Sequence, residues 1–202
     1  AFAECLGKAD RASIRAIGVS SQAQTYVFLD RDGRHLGPAV SWLDTRGDAE
    51  GTALQLEGED FYGHVGWPAP MPMLASCKLR RLGVLGRAAH QLFADGVLVH
   101  RLTGEYAVSR NLAAMSGLYS LIRDDWWPRA IEAAGVSRAI LPEVRPVGRQ
   151  AGTLGDSLSR RWGLPAVPVV AGANDQTAAA IGAGLSEPGD VSLNLGTALV
   201  TY

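Results

Sequence analysis

The stretch that decides the fold is VVAGANDQTAAAIGAG, residues 169–184. Its apolar start belongs to a run that predicts a buried strand over Val167–Ala171. A polar Asn-Asp-Gln trio follows, and the Ala- and Gly-rich residues after it predict a helix over Asp175–Gly184. We therefore expect Asp175 at a turn from strand to helix, near the N-terminus of the helix.

Two roles for Asp175 fit this position. The helix dipole favours negative charge at a helix N-terminus, so the carboxylate stays ionised there. An ionised carboxylate can accept the proton of a hydroxyl group that attacks a phosphoryl group. Asp is also a preferred N-cap residue, so a purely structural role is the alternative. The pattern by itself leaves both roles open.

Strands and helices are mixed along the whole chain. Apolar runs predict strands, and helical periodicity predicts helices. The other predicted strands are 14–20, 24–30, 38–42, 191–195 and 198–202. The other predicted helices are 45–56 with Thr45 as N-cap, 73–82, 91–102, 127–134 and 156–162, and residues 141–152 read as a connector rich in Pro and Gly. This mixture predicts an α/β domain with a mixed sheet.

Bulk composition excludes several classes of function. The 202 residues are 47% hydrophobic and carry a net charge of −1, so there is no basic field for nucleic acid or an anionic membrane. No apolar run approaches the length of a membrane span. The two cysteines, Cys5 and Cys77, and the four dispersed histidines lack disulfide or metal spacing. We expect a cytoplasmic protein without a metal site of its own.

Two further segments have polar residues at strand ends. In SLNLGTALVTY, residues 192–202, Gly196 and Thr197 could direct N–H and hydroxyl groups at phosphate oxygens, although hairpins often use Gly-Thr for structural reasons. In the stretch 18–46, the amides of Gln22 and Gln24 suit a polyhydroxylated ligand. The same stretch contains Trp42, Asp44 and Arg46, and a structural salt bridge with a helix cap is the alternative account of these three.

Taken together, the segments resemble the FGGY carbohydrate kinases, a family that includes xylulokinase and glycerol kinase. The order of motifs carries the resemblance: a G-V-S-x-Q hairpin, W-x-D-x-R, L-T-G, G-x-x-D-Q before an Ala-rich helix, and a G-T hairpin. Here they are Gly18–Gln22, Trp42–Arg46, Leu102–Gly104, Gly172–Gln176 and Gly196-Thr197. The resemblance implies an actin-like ATPase fold of the ribonuclease H type.

The resemblance also implies roles for individual residues. Asp175 matches the catalytic base and Gln176 its substrate-contacting neighbour, while Gly196 and Thr197 match a phosphate-binding turn for ATP. Ala23 and Gln24 match the pair that helps to set sugar choice, which is typically Arg-Glu in glycerol kinases and Met-His in xylulokinases. The Ala-Gln pair argues against glycerol. Trp42, Asp44 and Arg46 belong to the sugar side and are expected to bind substrate. Arg110 would also face the sugar site, at a position where some members have an aromatic residue.

The implied whole is larger than this chain. Residues 1–202 correspond to most of the N-terminal, sugar-binding domain, apparently without its first strands, and a C-terminal nucleotide domain is expected elsewhere. ATP with its own Mg²⁺ is the implied cofactor, a sugar or polyol the implied substrate, and a homodimer one possible assembly. By themselves these residues are predicted to be inactive. The alternatives are a non-catalytic sugar-binding or regulatory module of the same fold, and a chaperone-type ATPase, against which the W-x-D-x-R segment argues.

Overall fold

The computed structural model of the chain describes residues 2–82, 85–195 and 199–201. The described residues form an α/β structure. Its strands are β1 (Ile17–Ser21), β2 (Tyr26–Leu29), β3 (His90–Phe93), β4 (Ala107–Ser109), β5 (Tyr119–Ser120), β6 (Asp125–Trp126), β7 (Glu143–Arg145), β8 (Gln150–Thr153), β9 (Pro168–Asn174), β10 (Leu193–Leu195) and β11 (Leu199–Thr201). Its α-helices are α1 (Phe2–Leu6), α2 (Ala49–Gln55), α3 (Phe61–Val65), α4 (Ala75–Leu79), α5 (Ala94–Thr103), α6 (Arg110–Met115), α7 (Pro128–Ala133), α8 (Asp156–Trp162) and α9 (Asp175–Gly182). Short 3₁₀ turns cover Arg11–Ser13, Leu85–Arg87 and Arg138–Ile140.

A mixed sheet positions the segment that carries Asp175. Its strand order is β1-β9-β8, with β1 parallel to β9 and β8 antiparallel to β9. The predicted mixed sheet is therefore confirmed. Because β1 and β9 are parallel, their carboxyl ends lie at the same edge, where Ser21 is the register partner of Asn174.

Apolar side chains hold this sheet against α5. Val169 is fully buried in a cluster that also contains Val19, Val99, Ala107 and Ala171. A second and larger core lies beside β2 and β3 and is rich in aromatic residues. Burial of this apolar surface is the main favourable contribution to folding, and it fixes which face of each strand points inward.

A β-bulge interrupts the β1–β9 pairing just before the strand ends. Val19 is paired with Ala171 and Ser21 with Asn174, so Ser20 stands opposite two residues of β9. Burial along β9 alternates until this point, after which Ala173 and Asn174 are both buried. A bulge bends its strand and re-aims the side chains that follow, here those at the start of α9.

Several predicted elements are confirmed, some with shifted ends. The helix 156–162 is α8, and the strands predicted around residues 191–202 are the antiparallel pair β10 and β11. The predicted strands 14–20 and 24–30 appear as β1 and β2. The helix predicted from Asp175 is α9, which ends at Gly182.

Four local predictions are wrong. The helix predicted from Thr45 starts at Ala49, because Asp48 is the N-cap and accepts a hydrogen bond from the Gly51 N–H. The helix predicted over 91–102 is strand β3 followed by α5, since its first residues pair with β2. The strand 38–42 is reduced to an isolated bridge at Val40, and the connector 141–152 contains β7 and β8.

Candidate active site

Asp175 is the first residue of α9 and follows β9 directly. Asn174 is the N-cap of this helix, because its side-chain oxygen accepts a hydrogen bond of 3.1 Å from the Thr177 N–H. The carboxylate of Asp175 is exposed, and its Oδ1 accepts a hydrogen bond of 2.8 Å from the Gln176 N–H. The capping alternative for Asp175 is therefore wrong, since the preceding residue performs that task.

The loop after β1 begins at the same edge. It joins this edge to residues Trp42–Arg46, the tryptophan segment. Gln22 follows Ser21, the last residue of β1 and the register partner of Asn174, so the loop starts at the edge where α9 begins. The Gln22 side-chain amide donates to the Thr25 hydroxyl over 2.9 Å, and the Trp42 backbone N–H donates to the same oxygen over 3.2 Å. The Thr25 hydroxyl thus connects two of the predicted sugar-side segments.

The segment Trp42–Arg46 is held by an ion pair and a buried lysine. The Arg46 Nε donates to both carboxylate oxygens of Asp44 over 3.0 Å each, and this hydrogen bonding lowers the pKa of Asp44 to about 2. The Lys78 ammonium, almost completely buried, donates over 2.8 Å to the Ser41 carbonyl. Burial lowers the pKa of Lys78, and the nearby Asp44 carboxylate opposes that effect. Trp42 is 38% exposed.

The predicted sugar-choice pair divides into one accessible and one inaccessible residue. Ala23 is half-buried, whereas Gln24 is 3% exposed. The Gln24 side-chain oxygen accepts from the Ala75 N–H over 3.1 Å, and its amide nitrogen donates to the Met115 carbonyl. Both polar ends of Gln24 are therefore engaged by the backbone, and Gln24 also has a left-handed φ of 57°. This arrangement favours a structural role for Gln24 over direct contact with a sugar.

Arg110 is the first residue of α6 and turns toward a neighbouring carboxylate. Its guanidinium forms an ion pair with Asp124, which also accepts a hydrogen bond of 2.7 Å from the Tyr119 hydroxyl. Burial, followed by the interaction with Asp124, raises the pKa of Tyr119 to about 12. These three residues line a cavity of about 240 Å³. Arg110 therefore has a protein partner in this state.

The remaining predicted residues are Gln176, at the start of α9, and the turn between β10 and β11. The Gln176 side-chain oxygen accepts a hydrogen bond from the Asn194 amide of β10, which ties the β10–β11 hairpin to the start of α9. Gly196 and Thr197 lie between these two strands and are outside the described residues. The flanking strands are described, and the predicted phosphate-binding role of the turn stays a prediction.

Sequence reasoning missed three residues that organise this edge. Thr25 and Lys78 fix the tryptophan segment, as described above. The third is Asn111, whose side-chain oxygen accepts a hydrogen bond of 2.8 Å from the Asn174 N–H. No local sequence signal marks Asn111, which is the second residue of α6, after the Ser109 N-cap.

The described part of the chain contains neither a metal-binding cluster nor a membrane-spanning helix. Within residues 2–82, 85–195 and 199–201, no three His, Cys, Asp or Glu side chains are grouped so that they could hold a metal ion. None of the helices in this part of the chain combines the length and the apolar character that a membrane crossing requires.

Comparison with known proteins identifies the class that this fold and this edge define. The FGGY family of carbohydrate kinases, N-terminal domain, matches residues 1–182. The chain therefore belongs to the FGGY family of carbohydrate kinases. Its α/β structure with a mixed sheet is the actin-like ATPase fold that the sequence predicted.

Particular relatives place the chain within that family. It is 28% identical over 193 residues to the xylulose kinase of Escherichia coli strain K12, and the aligned region covers 94% of this chain and 40% of the relative. It is 32% identical over 200 residues to a glycerol kinase of Thermococcus gammatolerans, with the same two coverages. The crystal structure of xylulose kinase from Rhodospirillum rubrum matches with a TM-score of 0.86 and 29% identity, over 96% of this chain and 42% of that one. The chain thus spans about two fifths of the length of these relatives.

Proposed function

We propose that this chain is the sugar-binding domain of an ATP-dependent carbohydrate kinase, with Asp175 as the base that activates a hydroxyl group of a ketose or polyol. One observation carries the proposal. The Asp175 carboxylate is exposed at the carboxyl edge of parallel strands, and a neighbouring residue does the capping, so a ligand can reach this carboxylate. In open α/β sheets, ligands bind outside the carboxyl ends of the strands.

The residues around Asp175 have distinct proposed tasks. Asp175 orients the attacking hydroxyl and takes its proton as the new bond to phosphorus forms. Gln22 and Gln176 offer amide groups to the other hydroxyls. Trp42 offers an aromatic face, and the Asp44–Arg46 pair keeps the tryptophan segment in place.

ATP supplies the phosphoryl group in this proposal, with Mg²⁺ carried by the nucleotide. In this chain the turn at Gly196 and Thr197 would contribute to phosphate binding. Adenine recognition is assigned to a second, C-terminal domain, and residues 1–202 alone are expected to be inactive.

The test replaces the carboxylate by its isosteric amide in the complete polypeptide. We expect Asp175→Asn to lower kcat for sugar phosphorylation by about 10²- to 10⁴-fold, the usual contribution of a general base, with little change in sugar affinity. Coupled-enzyme detection of ADP and calorimetric titration of sugar binding measure the two quantities.

Asp156→Asn is a matched control for this variant. Asp156 is also an exposed aspartate at the first position of a helix, but α8 follows β8, which runs antiparallel to β9 and ends at the opposite edge of the sheet. The control should retain its activity. If Asp175→Asn keeps most of its kcat, Asp175 is not the base. If the wild-type protein binds sugar but never consumes ATP, the sugar-binding module is the correct alternative.

A further inference from the structure

Two asparagines form a relay of hydrogen bonds behind the candidate base. The Asn111 side-chain oxygen accepts the backbone N–H of Asn174 over 2.8 Å. The Asn174 side-chain oxygen in turn accepts the backbone N–H of Thr177 over 3.1 Å. The first bond joins residues 63 positions apart in sequence, so it is a tertiary contact between α6 and the turn that begins α9.

This relay resembles a capping box that is completed from outside the helix. In a capping box, the N-cap side chain bonds the N–H three residues on, and the side chain at that position bonds the N-cap N–H in return. In α9 the position three residues on is Thr177, and Asn111 supplies the return bond from another helix. Asn174 is 3% exposed, so loss of this bond would leave a buried N–H without its protein acceptor.

Asn111 is itself held rigidly through α6. The Ser109 side chain caps α6 by accepting the Leu112 N–H, and the Ser109 N–H donates to the carboxylate of Asp95 over 2.8 Å. Asp95 is 2% exposed, and burial raises its pKa while the hydrogen bonds from Ser109 and Gly96 oppose that effect. The relay therefore starts from a buried anchor in α5.

We infer that Asn111 is a positioning residue for Asp175, which acts through the N–H of Asn174. The inference rests on the proposed function, in which Asp175 is the base. Asp175 directly follows the residue whose N–H Asn111 fixes, so the direction of its carboxylate depends on that bond. A misplacement of about 1 Å in a reacting group can cost about 100-fold in rate. Asn111 needs no contact with the substrate for this effect.

The experiment compares three variants of the complete polypeptide. Asn111→Ala removes the acceptor, and Asn111→Asp keeps an oxygen in its place. Gln150→Ala removes an exposed amide that donates a hydrogen bond to the Thr153 hydroxyl within strand β8, and it is the control. Steady-state kinetics give kcat and KM, and hydrogen exchange followed by mass spectrometry reports protection of the segment that contains Asn174.

The expected pattern separates positioning from general destabilisation. Asn111→Ala should lower kcat by about 10- to 100-fold while KM for sugar changes by less than about threefold. Exchange should accelerate at the β9–α9 turn and stay unchanged in the rest of β9. Asn111→Asp should restore protection and raise kcat above that of the alanine variant. Gln150→Ala should match the wild type in both measurements.

Failures of this inference and of the proposed function are distinguishable. An active wild type whose Asn111→Ala variant keeps its kcat overturns the positioning role. An Asn111→Asp variant that regains protection but no more activity than Asn111→Ala also overturns it. A wild type that phosphorylates no sugar refutes the proposed function, and the catalytic part of this inference fails with it.

Discussion

Gly172 lies in the bulge that precedes Asp175, and its replacement by alanine should be severe. A Cβ atom added at Gly172 would lie 2.9 Å from the backbone carbonyl carbon of Val19 and closer still to its oxygen, where ordinary contacts begin at 3.4 Å. Because the obstacle is backbone, no side-chain rotation relieves it. A carbon atom normally stays about 3.3 Å or more from a carbonyl oxygen, so β1 and β9 must separate by about 1 Å.

The cost follows from the strand separation. Overpacking of this kind costs about 1–3 kcal/mol, and a ladder hydrogen bond stretched by about 1 Å forfeits roughly another 1 kcal/mol. We expect Gly172→Ala to destabilise the domain by about 3 kcal/mol. For a domain of this size that loss lowers Tm by about 6–12 °C.

A second glycine in the same segment provides the matched control. Gly182 ends α9, and a Cβ atom added there meets nothing within 4 Å. Gly182→Ala should be neutral or stabilise by up to about 1 kcal/mol through helix propensity. Differential scanning calorimetry of both variants measures the contrast. A Gly172→Ala protein that melts within about 2 °C of the wild type would refute the reasoning about strand spacing.

Two further predictions concern the sugar side. Gln24→Ala should destabilise by about 2–4 kcal/mol, because it leaves the buried Ala75 N–H and the half-buried Met115 carbonyl without their partner. Gln22 is exposed, and Gln22→Ala should cost less than about 1 kcal/mol. Urea unfolding distinguishes the two variants, and equal losses would contradict the structural role of Gln24. The Asp44–Arg46 pair depresses the pKa of Asp44, so its contribution is complete above about pH 4 and is lost as pH falls toward 2. Asp44→Asn should therefore destabilise by about 1 kcal/mol at pH 7, with solvent screening included, and this difference should shrink at pH 3 in the same assay.

The fold around Asp175 could be predicted because its signals are local. The apolar run before Gly172 and the Ala-rich run after Gln176 each have the composition of one element. The paired strands β10 and β11 and the helix α8 likewise follow from composition and turn residues within a few positions. In these places local preference and tertiary structure agree, as is typical of natural sequences.

Other elements depend on partners that local sequence does not name. Residues His90–Phe93 have an apolar pattern that suits a helix, but pairing with β2 makes them a strand. Thr45 and Asp48 are both good N-cap residues, and the helix starts after Asp48, whose N–H donates to the Cys77 carbonyl and whose carboxylate contacts Arg81. Such choices depend on contacts between residues about 30 to 70 positions apart in sequence, which override intrinsic preference.

The roles of the candidate site residues stay predictions from the order of the motifs. Ser21 and Asn174, which precede Gln22 and Asp175, are register partners at the ends of β1 and β9. The Thr25 hydroxyl links Gln22 to Trp42. Gln24 was expected to face a ligand, but it is buried. It lies in the loop between β1 and β2 with a positive φ, and the alternation of side chains along a strand does not predict the direction of a side chain there. Asn111 belongs to none of the motifs, and only the packing of α6 against β9 reveals its contact.

The pairing of β1 with β9 also has a consequence for synthesis of the chain. The Ser20 hydroxyl donates to the Ala173 carbonyl across 153 positions of sequence, and the edge that holds Asp175 needs both strands. Contacts of such separation form late, because the loop that they close is long. At about 5–20 residues per second, a ribosome needs roughly 10–30 s between these two residues. During that interval β9 has not been synthesised, so the backbone N–H and C=O groups of β1 that pair with β9 need another partner or water until β9 emerges.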